Sequence, residues 1–465
     1  MRSEWRTVLT ATALLAGLHL AGCGDEKTIE DGGMDAGADG GGTDATPDGS
    51  QPDASSDGGG DASTDAGTSG GACGPDGWNA ACGPDTKLLV SASVFGSASS
   101  SRIGLVDLSD GSVTWSDPIT DDTDVLVDRV GCTPVLLRRS TGEIALQDAS
   151  APLTTARTLQ VWPDDVTPST WGYNPWDIEA VDGFRAAVAP YAVNELTLID
   201  GTCDGTMARV GGVDLSGFMV DADDDGMADD TDGSVDASSV VVHEGRAYVM
   251  LGRSYYDAST MGLAFAGGAV VAVVDLDTEA LVDMDPDTDG VQGIALGYEN
   301  PVGGAFVADV EGRATLYVGA VGNHGVADGA IVPVQLPAGS VQTPVFEETS
   351  SELLVDFVVD DTTDQAFLLV GPSRTDNPRS KSLLAISLTD GTRRTIVSGT
   401  AATHLALVEA LPAAGGRTLA VLDGTNLRTF SVEDGSETTP SGGIDVTVPD
   451  STDASVYYGG LVALP

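Results

Sequence analysis

The sequence predicts an all-β domain over residues 86–465, and three observations carry the prediction. Short Val-, Leu- and Ile-rich runs follow one another, separated by Asp-Gly, Thr-Gly and Gly-Gly turns, the pattern of buried strands punctuated by tight connections. Amphipathic helical spacing is almost absent. A unit in which an apolar run ends in a polar turn returns seven times, at 104–111, 142–148, 196–200, 271–277, 331–336, 384–391 and 429–435. Copies set roughly 40 to 75 residues apart leave room for a four-stranded sheet each, and seven such sheets close into a β-propeller. One sheet cannot bury its apolar faces alone; stacked about an axis, each covers its neighbours. The ring closes when the last strand pairs with the first and removes the free edge, and the apolar stretch 456–464 is suited to lie beside 88–94. A solenoid or a pair of sandwiches is the competing architecture.

Ahead of this domain the chain changes character twice. Arg2 and Arg6 precede an apolar run from Val8 to Leu18 that is too short to span a bilayer, and small residues follow it up to Leu20-Ala21-Gly22-Cys23. That order is a processed export signal over residues 1–22. The tetrapeptide resembles a lipobox, which implies cleavage behind Gly22 and acylation of Cys23; the alternative is an ordinary secretory signal with an incidental cysteine. From 23 to 72 the chain is mostly Gly, Ala, Asp, Ser, Thr and Pro, with Lys27 its one cation and Asp recurring about every four residues. The glycines and the repelling charges oppose a helix, and nothing in the stretch can build a core. We read it as a disordered tether whose root-mean-square span is about 35 to 42 Å before charge repulsion lengthens it. Gly67-Thr68-Ser69-Gly70-Gly71 matches the hydrolase elbow only in letters, since no strand precedes it and no helix follows.

Charge excludes one class of partner. With 71 acidic against 21 basic residues the formal net charge is -50, so nucleic acid is disfavoured, and membrane attachment falls to the lipid rather than to a basic patch. Apart from Cys23, four cysteines remain. An even number in an exported chain suggests two disulfides. Cys73 and Cys82, in a loop at 73–85, sit in a duplicated Ala-Cys-Gly-Pro-Asp pentapeptide and are expected to pair with each other. Cys132 and Cys203 are then left to join neighbouring units; a zinc site is the alternative, without nearby histidines to support it.

Asp221-Ala222-Asp223-Asp224-Asp225-Gly226-Met227-Ala228-Asp229-Asp230-Thr231-Asp232 is the strongest site signal. Asp221, Asp223, Asp225, Asp229 and Asp232 occupy positions 1, 3, 5, 9 and 12 of a calcium loop, with glycine at 6 and the Met227 carbonyl at 7. Calcium is the natural guest, in a structural role. Asp at position 12 shortens the bidentate reach, and neither flank reads as an EF-hand helix; the alternative is a solvated acidic insertion. Asp285-Pro286-Asp287-Thr288-Asp289-Gly290 begins in the same way but leaves Gly293 and Leu296 at positions 9 and 12, which reads as a turn. His404, in an apolar run, reads as a strand histidine, and His324, in Gly322-Asn323-His324-Gly325, as a pocket candidate. Trp162, Trp171, Tyr173, Trp176 and Tyr191 crowd one stretch of an aromatic-poor chain. We expect inter-blade packing from them, with Trp176 in the core, against the alternative of stacking on a sugar or a partner loop. Tyr255 and Tyr256, in an expected loop, are candidates for a ligand surface.

Asn174-Pro175-Trp176-Asp177-Ile178, then Arg185-Ala186-Ala187-Val188-Ala189 and Leu196-Thr197-Leu198-Ile199-Asp200, resemble the YncE-like and surface-layer type of bacterial seven-bladed propellers, and Asn300-Pro301 starts a second such blade. In that family an Asn-Pro step leads into an inner strand. The acidic spacer and Asp-rich insert are similar to those of myxobacterial surface lipoproteins. The resemblance implies fold and export and leaves activity undefined. Together these readings favour a non-enzymatic outer-membrane lipoprotein, held to the membrane by its N-terminal lipid, whose propeller binds an envelope protein or glycan. Two alternatives stand beside it: a lactonase-like hydrolase with an axial metal held by carboxylates or by Asn174 and Asn300, and a surface-coat subunit.

Overall fold

The computed structural model describes residues 86–464 except 96–98, 162–172, 202–206, 220–232, 258–261, 266–267, 324–325, 375–379, 412–415, 440–441, 450 and 452–454. Within them the chain forms a seven-bladed β-propeller, with no α-helix among the described residues. Each blade is an antiparallel sheet whose strands run from the axis outward. Blade 2 is typical: inner strand Val125–Val130, second Thr133–Arg138, third Glu143–Asp148 and outer Ala151–Gln160. The inner strands of blades 3 to 7 are Pro175–Ala180, Ala237–His243, Ala305–Val310, Leu353–Asp360 and Ala402–Leu411. Blade 1 is shared between the two ends of the domain. Its inner strand is the C-terminal Ser455–Leu464, which pairs antiparallel with Lys87–Phe95, placing Leu88 opposite Ala463 and Val94 opposite Val456. Inner strands of consecutive blades touch all the way round, including blade 7 against blade 1, so the ring is closed.

The seven recurring sequence units are the third strands, one per blade, each with the turn that follows. The reason is burial on two faces. In Val270–Asp275 of blade 4, Val271 and Val273 pack toward blade 5 while Ala272 and Val274 pack toward blade 3, so the strand has no solvent face and reads as a continuous apolar run. The core is accordingly divided into seven apolar clusters, one in each seam between blades.

The two ends of the ring differ. At one end lie short turns joining inner to second and third to outer strands, held by carboxylates on nearby N–H groups: Asp107 on Ser109 at 2.9 Å, Asp148 on Ser150 at 2.8 Å, Asp390 on Thr392 at 3.0 Å and Asp434 on Ser436 at 2.9 Å. These Asx turns lie in the connections between third and outer strands. At the other end lie the long connections between second and third strands and from one blade to the next, including 252–269, 282–304 and 321–329. The described chain begins and ends at the turn end, where the Thr86 N–H donates to the Leu464 carbonyl at 3.2 Å.

Candidate axial site and its mouth

Polar side chains interrupt the inner strands just where they approach the axis. Register shifts leave Trp176, Ser238, Val355 and Thr403 unpaired on the inner strands of blades 3, 4, 6 and 7. Such bulges re-aim the next residue, which is Asp177, Ser239, Asp356 or His404. The Asn-Pro step of blade 3 lies at the start of its inner strand, and its cause is conformational. Asn174, Asp236 and Asn300 hold φ of 53°, 53° and 55°, a left-handed turn that Asn and Asp tolerate. In each case the carbonyl accepts the N–H of the residue that follows the second strand or lies next to it: Tyr191, Gly252 and Val321, at 2.9, 3.0 and 2.9 Å. Asn174 also accepts Arg139 Nε at 2.7 Å, and Asn300 donates to the Gly322 carbonyl at 3.2 Å. Each has a structural task.

The axial carboxylates bridge blades. Asp177 accepts the Ile178 N–H at 2.9 Å on one oxygen, and Ser239 Oγ at 2.7 Å with the Val240 N–H at 2.8 Å, from blade 4, on the other. Asp356 repeats the motif, accepting the Phe357 N–H and, from blade 7, the Leu405 N–H, each at 2.8 Å. His404 Nε2 lies 2.7 Å from the Tyr458 carbonyl of blade 1, with Nδ1 4.0 Å from Asp356. Burial pushes the Asp356 carboxyl up to about 7 against two N–H donors that lower it. Burial and the Asp177 charge push Glu179 up to about 7, and burial, then the charge and hydrogen bond of Asp177, raise Asp128 well above the carboxylate range. His404 is held below its ordinary value by burial, against its bond to the Tyr458 carbonyl. The axis is nonetheless open to water, since the Asp356 side chain is 24 % exposed and Tyr457, beside Arg139 and Asp124, is 45 % exposed. Among the described residues no group of three or more His, Cys, Asp or Glu is arranged to hold a metal ion.

At the loop end a chain of contacts crosses three blades. Asp124 meets Arg139 at 3.3 Å; the Arg139 guanidinium lies 3.8 Å above the Trp176 ring; Trp176 stacks on Tyr191 with centroids 4.7 Å apart; and the Tyr191 hydroxyl is 3.2 Å from Ser254 Oγ, which binds Asp236. The expectation of inter-blade packing holds for Tyr173 and Tyr191, Trp162 and Trp171 lie outside the described residues, and Trp176 is a correction. It is half-buried at the mouth, because the bulge turns it out of the seam, and the core position belongs to Tyr173. Opposite, the blade 5 to 6 seam is tied by Arg374, which meets both oxygens of the fully buried Glu348 at 2.6 and 2.7 Å and also donates to the carbonyls of Leu354 and Asn323 and, at close range, of Val321. Asp360, buried at the turn end of blade 6, pairs with Arg417 of blade 7.

The remaining candidates fare unevenly. Cys23, Cys73, Cys82, Cys203, His324 and the whole calcium loop with Asp221, Asp223, Asp225, Met227, Asp229 and Asp232 lie outside the described residues. Cys132 stands in the turn after the blade 2 inner strand. Tyr255 and Tyr256 are in strand, not loop: Ser254–Asp257 pairs with Gly262–Phe265 as a hairpin inserted at the loop end of blade 4. The Asp285 segment is a turn, with Thr288 bound to Asp285 at 2.8 Å and Gly290 at φ 83°. Sequence reading missed Asp128, Glu179, Asp356, Arg139 and the Glu348–Arg374 pair. The one available signal was a carboxylate set inside an apolar strand, as in Val127-Asp128 and Val355-Asp356.

No protein-family model matches the chain, and no curated protein does. Solved structures share its architecture. A protein from Lactobacillus plantarum is similar at TM-score 0.50 and 12 % identity, over 82 % of this chain and 100 % of that one. A putative 6-phosphogluconolactonase from Bacteroides fragilis gives 0.49 and 12 %, over 82 % and 99 %, and the periplasmic gluconolactonase of Pseudomonas aeruginosa 0.48 and 14 %, over 81 % and 100 %. At such identities the likeness concerns the propeller fold alone, and it does not distinguish a YncE-like or surface-layer type.

Proposed function

We propose that the protein is an exported, lipid-anchored propeller that presents its loop end to an envelope protein or glycan. The observation that carries this reading is the difference between the two ends of the ring. The turn end is built from short self-capped turns, and the described chain begins and ends there. The loop end carries the long insertions, the tyrosine hairpin of blade 4 and the half-buried Arg139, Trp176 and Tyr191 arc with exposed Tyr457. Aromatic rings with polar tips suit a mixed apolar and hydrogen-bonding partner. In this reading the calcium loop 221–232, which lies in sequence between blades 3 and 4, orders the loop end. In the same reading Cys73 pairs with Cys82 and Cys132 with Cys203. The address is the outer membrane.

The test is retention of the purified protein on envelope fractions with and without calcium. Tyr457→Ala is expected to lower retention at least fivefold and a turn-end change, Asp390→Asn, to leave it unchanged; equal loss from both, or no retention, rejects the reading. Labelled palmitate that fails to appear on Cys23 rejects the anchor. A second reading, a hydrolase at the axis with lactone-type substrates, is favoured by Glu179 and Asp356, whose raised carboxyls can donate a proton near neutral pH. Lactone hydrolysis that is lost in Asp356→Asn and Glu179→Gln would establish it.

A further inference from the structure

We propose that the loop-end mouth reads a neutral glycan, with Arg139 as donor and Asp124 as acceptor to two neighbouring hydroxyls of one sugar ring. The inference rests on the loop-end reading above and names its ligand class. Arg139 is fixed before any ligand arrives. Its Nε donates to Asn174 Oδ1 at 2.7 Å, its Nη1 meets Asp124 Oδ1 at 3.3 Å, and its guanidinium lies 3.8 Å above the Trp176 ring. Asp124 is held as firmly, with its own N–H on Asp122 at 2.8 Å and its carbonyl accepting the Arg139 N–H at 3.0 Å. These contacts leave two atoms over. Among the described residues Arg139 Nη2 and the second carboxylate oxygen of Asp124 have no hydrogen-bond partner, and neither is sealed from water.

A rigid donor beside a rigid acceptor is the complement of a vicinal diol, in which one hydroxyl accepts and its neighbour donates. An aromatic wall completes the subsite. Gly459 and Gly460 press the inner strand of blade 1 against Val125 and Val127 of blade 2, which brings the exposed Tyr457 to the Asp124 end of that strand. Its ring suits the C–H face of a sugar and its hydroxyl a further polar contact. Charge decides against the other common ligand of an arginine, an anion. Asp124 already neutralises Arg139, and the chain as a whole carries a formal charge of -50, so a phosphate or carboxylate approaches against repulsion. A neutral, hydroxyl-rich ligand meets no such barrier.

Retention of the full chain on envelope fractions tests the ligand class, with the fractions pretreated in two ways. Periodate, which cleaves vicinal diols, is expected to lower retention of the wild type about tenfold or more, and protease digestion to leave it unchanged. Asp124→Asn separates the chemistries by sign. The amide keeps an oxygen for Arg139 and the backbone bonds stay, but the free acceptor becomes a donor and a negative charge is removed. A diol is then held about fivefold more weakly or worse, whereas an anion is held more tightly. Retention that survives periodate and is lost to protease makes the partner a protein and overturns the inference, as does tighter retention by Asp124→Asn. A wild type that is not retained on untreated fractions rejects the loop-end reading itself, and the glycan with it. If Asp124→Asn does not fold, the periodate and protease arms decide alone.

Discussion

Blades 2 to 4 and blades 5 to 7 close the same ring with different materials. The first arc is stitched at the loop end by partly buried groups, from Asp124 through Arg139, whose side chains are 16 and 12 % exposed, and Trp176 and Tyr191 to the buried Ser254. The second is tied by ion pairs whose acids are fully buried, Glu348 with Arg374 and Asp360 with Arg417. The apolar clusters between blades are alike on the two sides, so the contrast lies in the polar layer. A buried pair is costly to break because the surviving charge has no water. A stack of partly buried rings leaves no buried carboxylate without its counter-charge when it opens. The difference teaches which half of the rim is fixed and which can answer a ligand.

Removing Arg374 should produce the largest effect. Arg374→Ala leaves Glu348, with no exposed side chain, held by the N–H groups of Leu354 and Gly329 at 2.7 and 3.2 Å but without a counter-charge. The expected loss is about 3 to 5 kcal/mol, read as a lower urea midpoint with unchanged slope. A loss below about 1 kcal/mol, the range of a solvated surface pair, would mean that the pair is hydrated and that the two arcs are equivalent.

The next effect is electrostatic and opposes simple intuition. Asp356 and Glu179 have carboxyls raised to about 7 by burial, so the stability they provide is full below about pH 4 and is lost as pH rises through about 7. Asp360 behaves oppositely. Burial raises its carboxyl, but hydrogen bonds from Thr363 and Thr362 and the Arg417 charge outweigh that and lower it, so its contribution disappears on acidification. Stability should therefore decline between pH 5 and pH 8, and Asp356→Asn should flatten part of that decline while losing the bond from Leu405 at a cost of about 1 kcal/mol. Denaturation midpoints at the two pH values measure it; an unchanged slope in the variant would show Asp356 ionised throughout.

How much of this could be read in the sequence divides along the radius of the blades. Third strands were legible because they are apolar on two faces and end on an Asp turn, as 384–391 does with Asp390 capping Thr392. The closing strand was legible as the apolar run 456–464 beside 88–94, without its register, although it is a partly buried inner strand. The inner strands of blades 4, 6 and 7 were not, since Ser239, Asp356 and His404 break the apolar pattern to serve partners 49 to 62 residues away, Asp177, Leu405 and Tyr458. The aromatic crowding around Trp176 was visible, but Arg139, which fixes its orientation from the preceding blade, was not. No local spacing encodes a contact made through ring closure.

The smallest effect sharpens the comparison most. Trp176→Ala removes a half-buried ring and two contacts, with Arg139 and Tyr191. A cation–π contact at a partly exposed site is worth about 0.5 to 1 kcal/mol and an aromatic pair about 0.5 to 1.5 kcal/mol. A loss of roughly 1 to 2.5 kcal/mol is expected from their sum, smaller than that of Arg374→Ala, because Arg139 keeps Asn174 and Asp124 as partners. Envelope retention should fall more steeply than stability, since the lost ring belongs to the partly buried arc at the mouth. If the two fall in proportion, or if Trp176→Ala costs as much as Arg374→Ala, the arc is a structural tie like its counterpart, and the ligand must be sought on the blade 4 hairpin instead.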